Sequence, residues 1–113
     1  MTQQLISPDY TAVRHVLGSP LIAARTAPYV GKDDFDLEGL VREAETMSGG
    51  EAVLVRTACE LWTAERQVGL SELVRRLDAP NFERVLEALR IARGSLSWDA
   101  VERIVAEQEE LAA

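Results

Sequence analysis

Few side chains in this 113-residue chain could do acid–base or covalent chemistry. His15 is the single histidine and Cys59 the single cysteine. A hydrolytic triad needs a nucleophile, a base and an orienting acid, and a zinc site needs three or four ligands. The residues around His15 do not supply either set, so His15 reads as a solvent-facing or half-buried helix residue. Cys59 falls between Val55 and Trp62 at helical spacing, with nothing nearby to lower its pKa. It reads as a small buried hydrophobe. The carboxylate pairs Asp33/Asp34 and Glu109/Glu110 are adjacent in sequence, and adjacent residues diverge on a helix. They are solvated charges rather than acid–base dyads. These observations predict a protein that is not an enzyme and holds no metal or cofactor.

Charge offers more. Residues 71–93 carry Arg75, Arg76, Arg84, Arg90 and Arg93 against Glu72, Asp78, Glu83 and Glu87. This is the least acidic stretch of a chain whose formal charge is −7, and its five arginines are the candidate partner-binding residues. The C-terminal stretch carries Glu102, Glu107, Glu109 and Glu110. An arginine-rich segment and a glutamate-rich tail allow a homo-oligomer, or docking of the tail on its own domain. A plain solvated surface is the simpler reading. The net charge disfavours generic binding to nucleic acid or to anionic membranes and favours a basic partner. With one cysteine no intrachain disulfide is possible, so a reducing, cytoplasmic location is expected. The polar N-terminus predicts neither a signal peptide nor a membrane span. Eleven arginines against Lys32 alone, with abundant alanine, suggest high-GC coding, as in an actinobacterium or one of its phages.

These residues must be positioned by helices. The fold class expected is all-α, a compact bundle of five or six short helices in a single domain over 1–113. Residues 1–6 are expected to be loose. Ser7-Pro8-Asp9 opens a helix that places Tyr10, Val13, Val16 and Leu17 inward and stops at Gly18. A short helix over 21–27 should end before Pro28, because the residue preceding proline is pushed from helical angles. A long turn centred on Gly31 follows. Leu37, Leu40, Val41 and Ala44 mark the next helix, in which Gly39 is a weak point costing about 1 kcal/mol against alanine. Ser48 and Glu51 form a capping box for a helix reaching Arg66. Its apolar face, Leu54, Val55, Ala58, Cys59, Leu61 and Trp62, is broad enough to make the 49–66 helix the centre of the bundle. A helix over 71–77 directs Leu73, Val74 and Leu77 inward. Asp78-Ala79-Pro80-Asn81 reads as a turn, and Phe82, Val85, Leu86 and Leu89 mark a helix ending at Gly94. Ser97 caps an amphipathic acidic helix over 97–113. Leu96 and Val101 form a hydrophobic staple at its start, and Val101, Ile104, Val105 and Leu111 line its inner side.

Two local resemblances bear on function. Met47-Ser48-Gly49-Gly50-Glu51 resembles the signature loop of ABC-type ATPases, which implies contact with a nucleotide phosphate. The companion phosphate-binding loop and acidic strand end are absent, and helix capping accounts for the same residues. Gly69-Leu70-Ser71-Glu72-Leu73-Val74-Arg75-Arg76-Leu77, followed by Phe82-Glu83-Arg84-Val85-Leu86, resembles a helix-turn-helix unit. That resemblance implies a second helix, over 82–93, entering the major groove of DNA. Glu83 and Glu87 beside Arg84 would repel phosphates as often as the arginines attract them, so nucleic acid is not the expected partner. The favoured reading is a small protein–protein interaction module, such as an adaptor, assembly factor or inhibitor. The alternatives are a helix-turn-helix transcription regulator and an acidic inhibitor that occupies the nucleic-acid-binding surface of its target.

Overall fold

A computed structural model of the protein describes residues 7–95 and 98–112, and it is an all-α bundle. The chain runs through α1 (Pro8–Leu17), α2 (Ala23–Thr26), a 3-10 turn (Ala27–Tyr29), α3 (Leu37–Ala44), α4 (Gly49–Thr63), α5 (Leu70–Arg76), α6 (Ala79–Ala92) and α7 (Trp98–Ala112). Seven α-helices lie among the described residues, slightly more than the five or six expected. No helix among those residues is long and apolar enough to cross a membrane. The expectations for residues 1–6, the Ser97 cap, Leu96 and the Leu111 side chain lie outside the described residues.

α1 begins as its sequence dictates: Pro8 occupies the first turn, and the Ser7 hydroxyl accepts from the Tyr10 N–H at 3.3 Å. It is flanked by α4, α6 and α7, and buries Thr11, Ala12, Val13, His15, Val16 and Leu17. α4 packs on α1, α3, α5 and α6 and buries Val53, Leu54, Val55, Ala58 and Cys59. The centre of the bundle is therefore the α1/α4 pair. Leu61 and Trp62, expected inside, are half-buried. Trp62 instead closes an aromatic cluster, with its ring centroid 5.0 Å from that of Phe35 and 6.4 Å from that of Tyr10.

Several boundaries differ from the expected ones for identifiable reasons. The α-helix before Pro28 is shorter than expected, Ala23–Thr26, and stops before the proline, but the chain continues as a 3-10 turn through Pro28. Pro28 sits in the first turn of that 3-10 segment, where its missing N–H costs nothing. The long turn after it is a small hairpin, with an isolated antiparallel bridge between Val30 and Phe35 and the Gly31 N–H donating to the Asp34 carbonyl at 2.8 Å. α4 stops at Thr63 rather than Arg66. The Glu60 carboxylate accepts the N–H groups of Gln67 (2.9 Å) and Val68 (3.0 Å), which draws the chain back across the last turn. Ala64 takes up the reversal with φ 65°, a left-handed conformation costing an alanine about 1–2 kcal/mol. The helix expected over 71–77 starts at Leu70, with Gly69 as its N-cap and the Glu72 carboxylate accepting the Gly69 N–H at 3.1 Å.

Asp78-Ala79-Pro80-Asn81 is not a free turn but the capped start of α6. Asp78 is the N-cap, Pro80 lies in the first turn, and Asp78 Oδ1 accepts from the Asn81 N–H at 3.0 Å. The inner side of α6 is correspondingly rotated. Asn81, Val85, Ala88 and Ile91 are buried, Phe82 and Leu86 half-buried, and Leu89 41% exposed. The helix ends as expected at Gly94, with φ 74°, where the Ser95 N–H reaches the Arg90 carbonyl and the Gly94 N–H the Ile91 carbonyl. α7 lies against α1: Ile104 is buried, Gln108 Nε2 donates to the Thr11 carbonyl at 3.1 Å, and Arg14 donates to the Gln108 carbonyl at 3.2 Å. The glutamate-rich tail thus docks on its own chain through Gln108 and Ile104, and its link to the 71–93 segment runs from Arg103 to Glu87 at 3.9 Å.

Candidate interaction surface

The five arginines singled out in the sequence do not form one cluster. Arg75 and Arg76 lie in the last turn of α5 and are exposed. Arg84 is half-buried on α6 and donates Nη1 to the His15 carbonyl at 2.9 Å, so it ties α6 to α1. Arg90 is exposed near the end of α6, and Arg93 is the C-cap of that helix. Arg84 and Arg90 border one shallow recess with Pro80, Glu83 and Glu87, so their charges are interleaved with carboxylates. α5 leans on α4 while α6 packs on α1, and the two helices barely touch each other.

His15 is buried, 4% exposed, rather than solvent-facing or half-buried. It sits on the side of α1 that meets α6, against Glu87 and Arg84. Its Nε2 is 2.8 Å from Glu87 Oε1, and since a carboxylate cannot donate, the proton sits on Nε2. Burial, then the nearby Arg84 charge, holds the His15 pKa below its usual value, against the opposing pull of Glu87. Cys59 is buried, and burial pushes its thiol pKa up, away from the reactive thiolate. Among the described residues, no group of three or more His, Cys, Asp or Glu side chains is placed to hold a metal ion.

The Met47–Glu51 loop has a structural explanation beyond capping. The Glu51 carboxylate accepts from the Ser48 N–H at 3.0 Å and from its hydroxyl at 2.9 Å, and these bonds lower the Glu51 pKa. A Cβ at Gly50 would stand 2.8 Å from the Arg76 carbonyl oxygen. The glycine is what lets the end of α5 approach the start of α4.

The surface that stands out was not among the sequence candidates. Leu70 is 82% exposed and Val74 69% exposed, one helical turn apart on the same side of α5. Val74, expected inside, faces water. Leu73 and Leu77, also spaced four apart, pack against the core instead. The apolar arc of α5, Leu70, Leu73, Val74 and Leu77, is wider than its contact with α4, so one edge stays uncovered. That width was visible in the sequence; which edge stays open was not. No family model matches the chain, and no curated protein or solved structure matches it.

Proposed function

We propose that the protein is a small, non-enzymatic protein–protein interaction module whose docking face is the outer edge of α5. The observation that carries this reading is the exposure of Leu70 and Val74 on one stripe of one helix. Single exposed leucines are ordinary, but a paired apolar stripe at helical spacing is the form in which helices present anchors to partners. Fully covering an exposed leucine or valine side chain is worth about 1.5–3 kcal/mol each, so a partner that covers these two largely exposed ones gains roughly one and a half to three orders of magnitude in affinity. Two observations weigh against the helix-turn-helix alternative. α5 leans on α4 whereas α6 packs chiefly on α1, and Arg84, on the would-be recognition helix, is engaged by the His15 carbonyl.

The test compares the wild-type chain with Leu70→Ser/Val74→Ser as bait in cells that naturally express it. Both changes are on the surface, so thermal stability should shift little. A protein retained by the wild type and lost with the double variant supports the reading. Equal retention by both baits refutes it. Selection from random duplexes provides the counter-test. Enrichment of one palindromic sequence, abolished by Arg84→Ala, would replace the interaction module with a DNA-binding protein.

A further inference from the structure

We infer that the recess between α1, α2 and the later turns of α7 binds a small monocarboxylate with a compact hydrocarbon body, held by Arg14. The recess is separate from the outer edge of α5 and does not depend on the docking role proposed there. Its volume is about 430 Å³, within the range of small-molecule sites. Its origin is local. α2 and the 3-10 turn present Ala23, Ala24 and Ala27, whose side chains end at Cβ, while α7 docks on α1 through Gln108. A hollow is left between them, and Leu17 and Val30 add to its apolar lining.

The polar groups on its wall select an anion. Thr26 lines the recess, but its hydroxyl is turned to the Leu17 and Ala23 carbonyls, at 3.0 and 3.3 Å. Gln108 lines it as well, and its amide donates to the Thr11 carbonyl. Arg14 is different. Its Nη2 donates to the Gln108 carbonyl at 3.2 Å, and its guanidinium carbon stands 6.0 Å from the centre of the Tyr10 ring. Among the described residues its other N–H groups have no acceptor and its charge has no carboxylate within ion-pair distance. The chain carries 19 acidic residues, yet none of the described ones lines this recess. A full positive charge thus borders an apolar hollow with no matching anion from the described chain. A planar guanidinium takes a carboxylate through parallel N–H···O bonds. One such group balances one negative charge, which selects a monocarboxylate over a phosphate dianion. The apolar remainder of the lining selects a hydrocarbon body over a sugar or a nucleotide.

The experiment is an NMR titration of the full chain with octanoate, octanol and octylamine, which share one body and differ in charge. Octanoate should give saturable shifts centred on the Gly18, Ala24 and Ala27 amides and the Arg14 Nε–H. It should bind roughly tenfold tighter than octanol, as a charge-assisted hydrogen bond at a half-open site provides, and octylamine should bind more weakly than octanol. Arg14→Gln keeps an amide donor and removes the charge. It should bring octanoate to the level of octanol and leave octanol binding unchanged, which also shows that the recess is still formed. Ala24→Leu, at an exposed position, should fill the hollow and abolish binding of both. Equal binding of the three ligands, or octanoate binding that persists undiminished in Arg14→Gln, would overturn the anion site. Shifts spread over the whole surface, or none below the micelle threshold of octanoate, would overturn the recess as a site. Tighter binding of an N-acetylated tetrapeptide ending in leucine, lost in Arg14→Gln, would replace the small acid with the C-terminus of a protein.

Discussion

Gly39 separates what helix propensity favours from what packing allows. It lies in the third turn-forming position of α3, where alanine would gain about 1 kcal/mol on propensity alone. A Cβ at that site would fall on ring carbons Cδ1 and Cε1 of Tyr29, closer than 3.0 Å, and 2.8 Å from Asp36 Oδ2. The obstacle is the side of a rigid ring, not the end of a flexible chain. The ring packs against the core, its hydroxyl donates to Glu43 Oε1 at 3.2 Å, and its own carbonyl accepts the Asp36 N–H at 2.9 Å. Inserting a methyl group into such packing costs about 1–3 kcal/mol. Gly39→Ala should therefore destabilise the protein by a net of up to about 2 kcal/mol, read as a lower urea midpoint with an unchanged slope in far-UV circular dichroism. In a Tyr29→Ala background the same substitution should be neutral or stabilising by up to about 1 kcal/mol, and the difference is the coupling between the two sites. Stabilisation of the wild type by Gly39→Ala would refute the reasoning.

Three further outcomes are expected. The His15 pKa is depressed in the folded state, so as pH falls below about 6.5 the unfolded chain takes up the proton first. Stability should be complete above that pH and decline toward the lower folded pKa, and NMR titration of the ring should show the pKa rising in Arg84→Gln and falling further in Glu87→Gln. Leu54→Ala should cost about 2–5 kcal/mol, since Leu54 is fully buried, while half-buried Leu61→Ala should cost distinctly less in the same denaturation series. Arg84→Ala should lower stability by about 1 kcal/mol or more through the unpaired His15 carbonyl, whereas exposed Arg90→Ala should stay within about 0.5 kcal/mol; equal effects would mean that the α6–α1 hydrogen bond is not made in solution.

The sequence by itself determined the helical class and most helix starts. Ser7-Pro8, Asp36, Ser48 with Glu51, and Gly94 act through backbone groups within a few residues of themselves, so their roles are local and legible. It also indicated that Cys59 and Leu54 would lie inside, because both fall within a broad apolar face. Tertiary structure decided what depends on a partner distant in the chain. α6 turns Val85, Ala88 and Ile91 inward and leaves Leu89 partly outside because α1, rather than α5, is its main neighbour. Gly39 and Gly50 are required by Tyr29 and by the Arg76 carbonyl, and neither approach can be read from spacing. His15 is buried because Glu87, 72 residues away, meets its Nε2. The candidate site divides the same way. The five arginines were visible as a composition, but only packing commits Arg84 to the fold, and only the limited contact of α5 with α4 leaves Leu70 and Val74 at the surface. Helical periodicity says which residues share a side of a helix; which part of that side is covered depends on the position of the neighbouring helix.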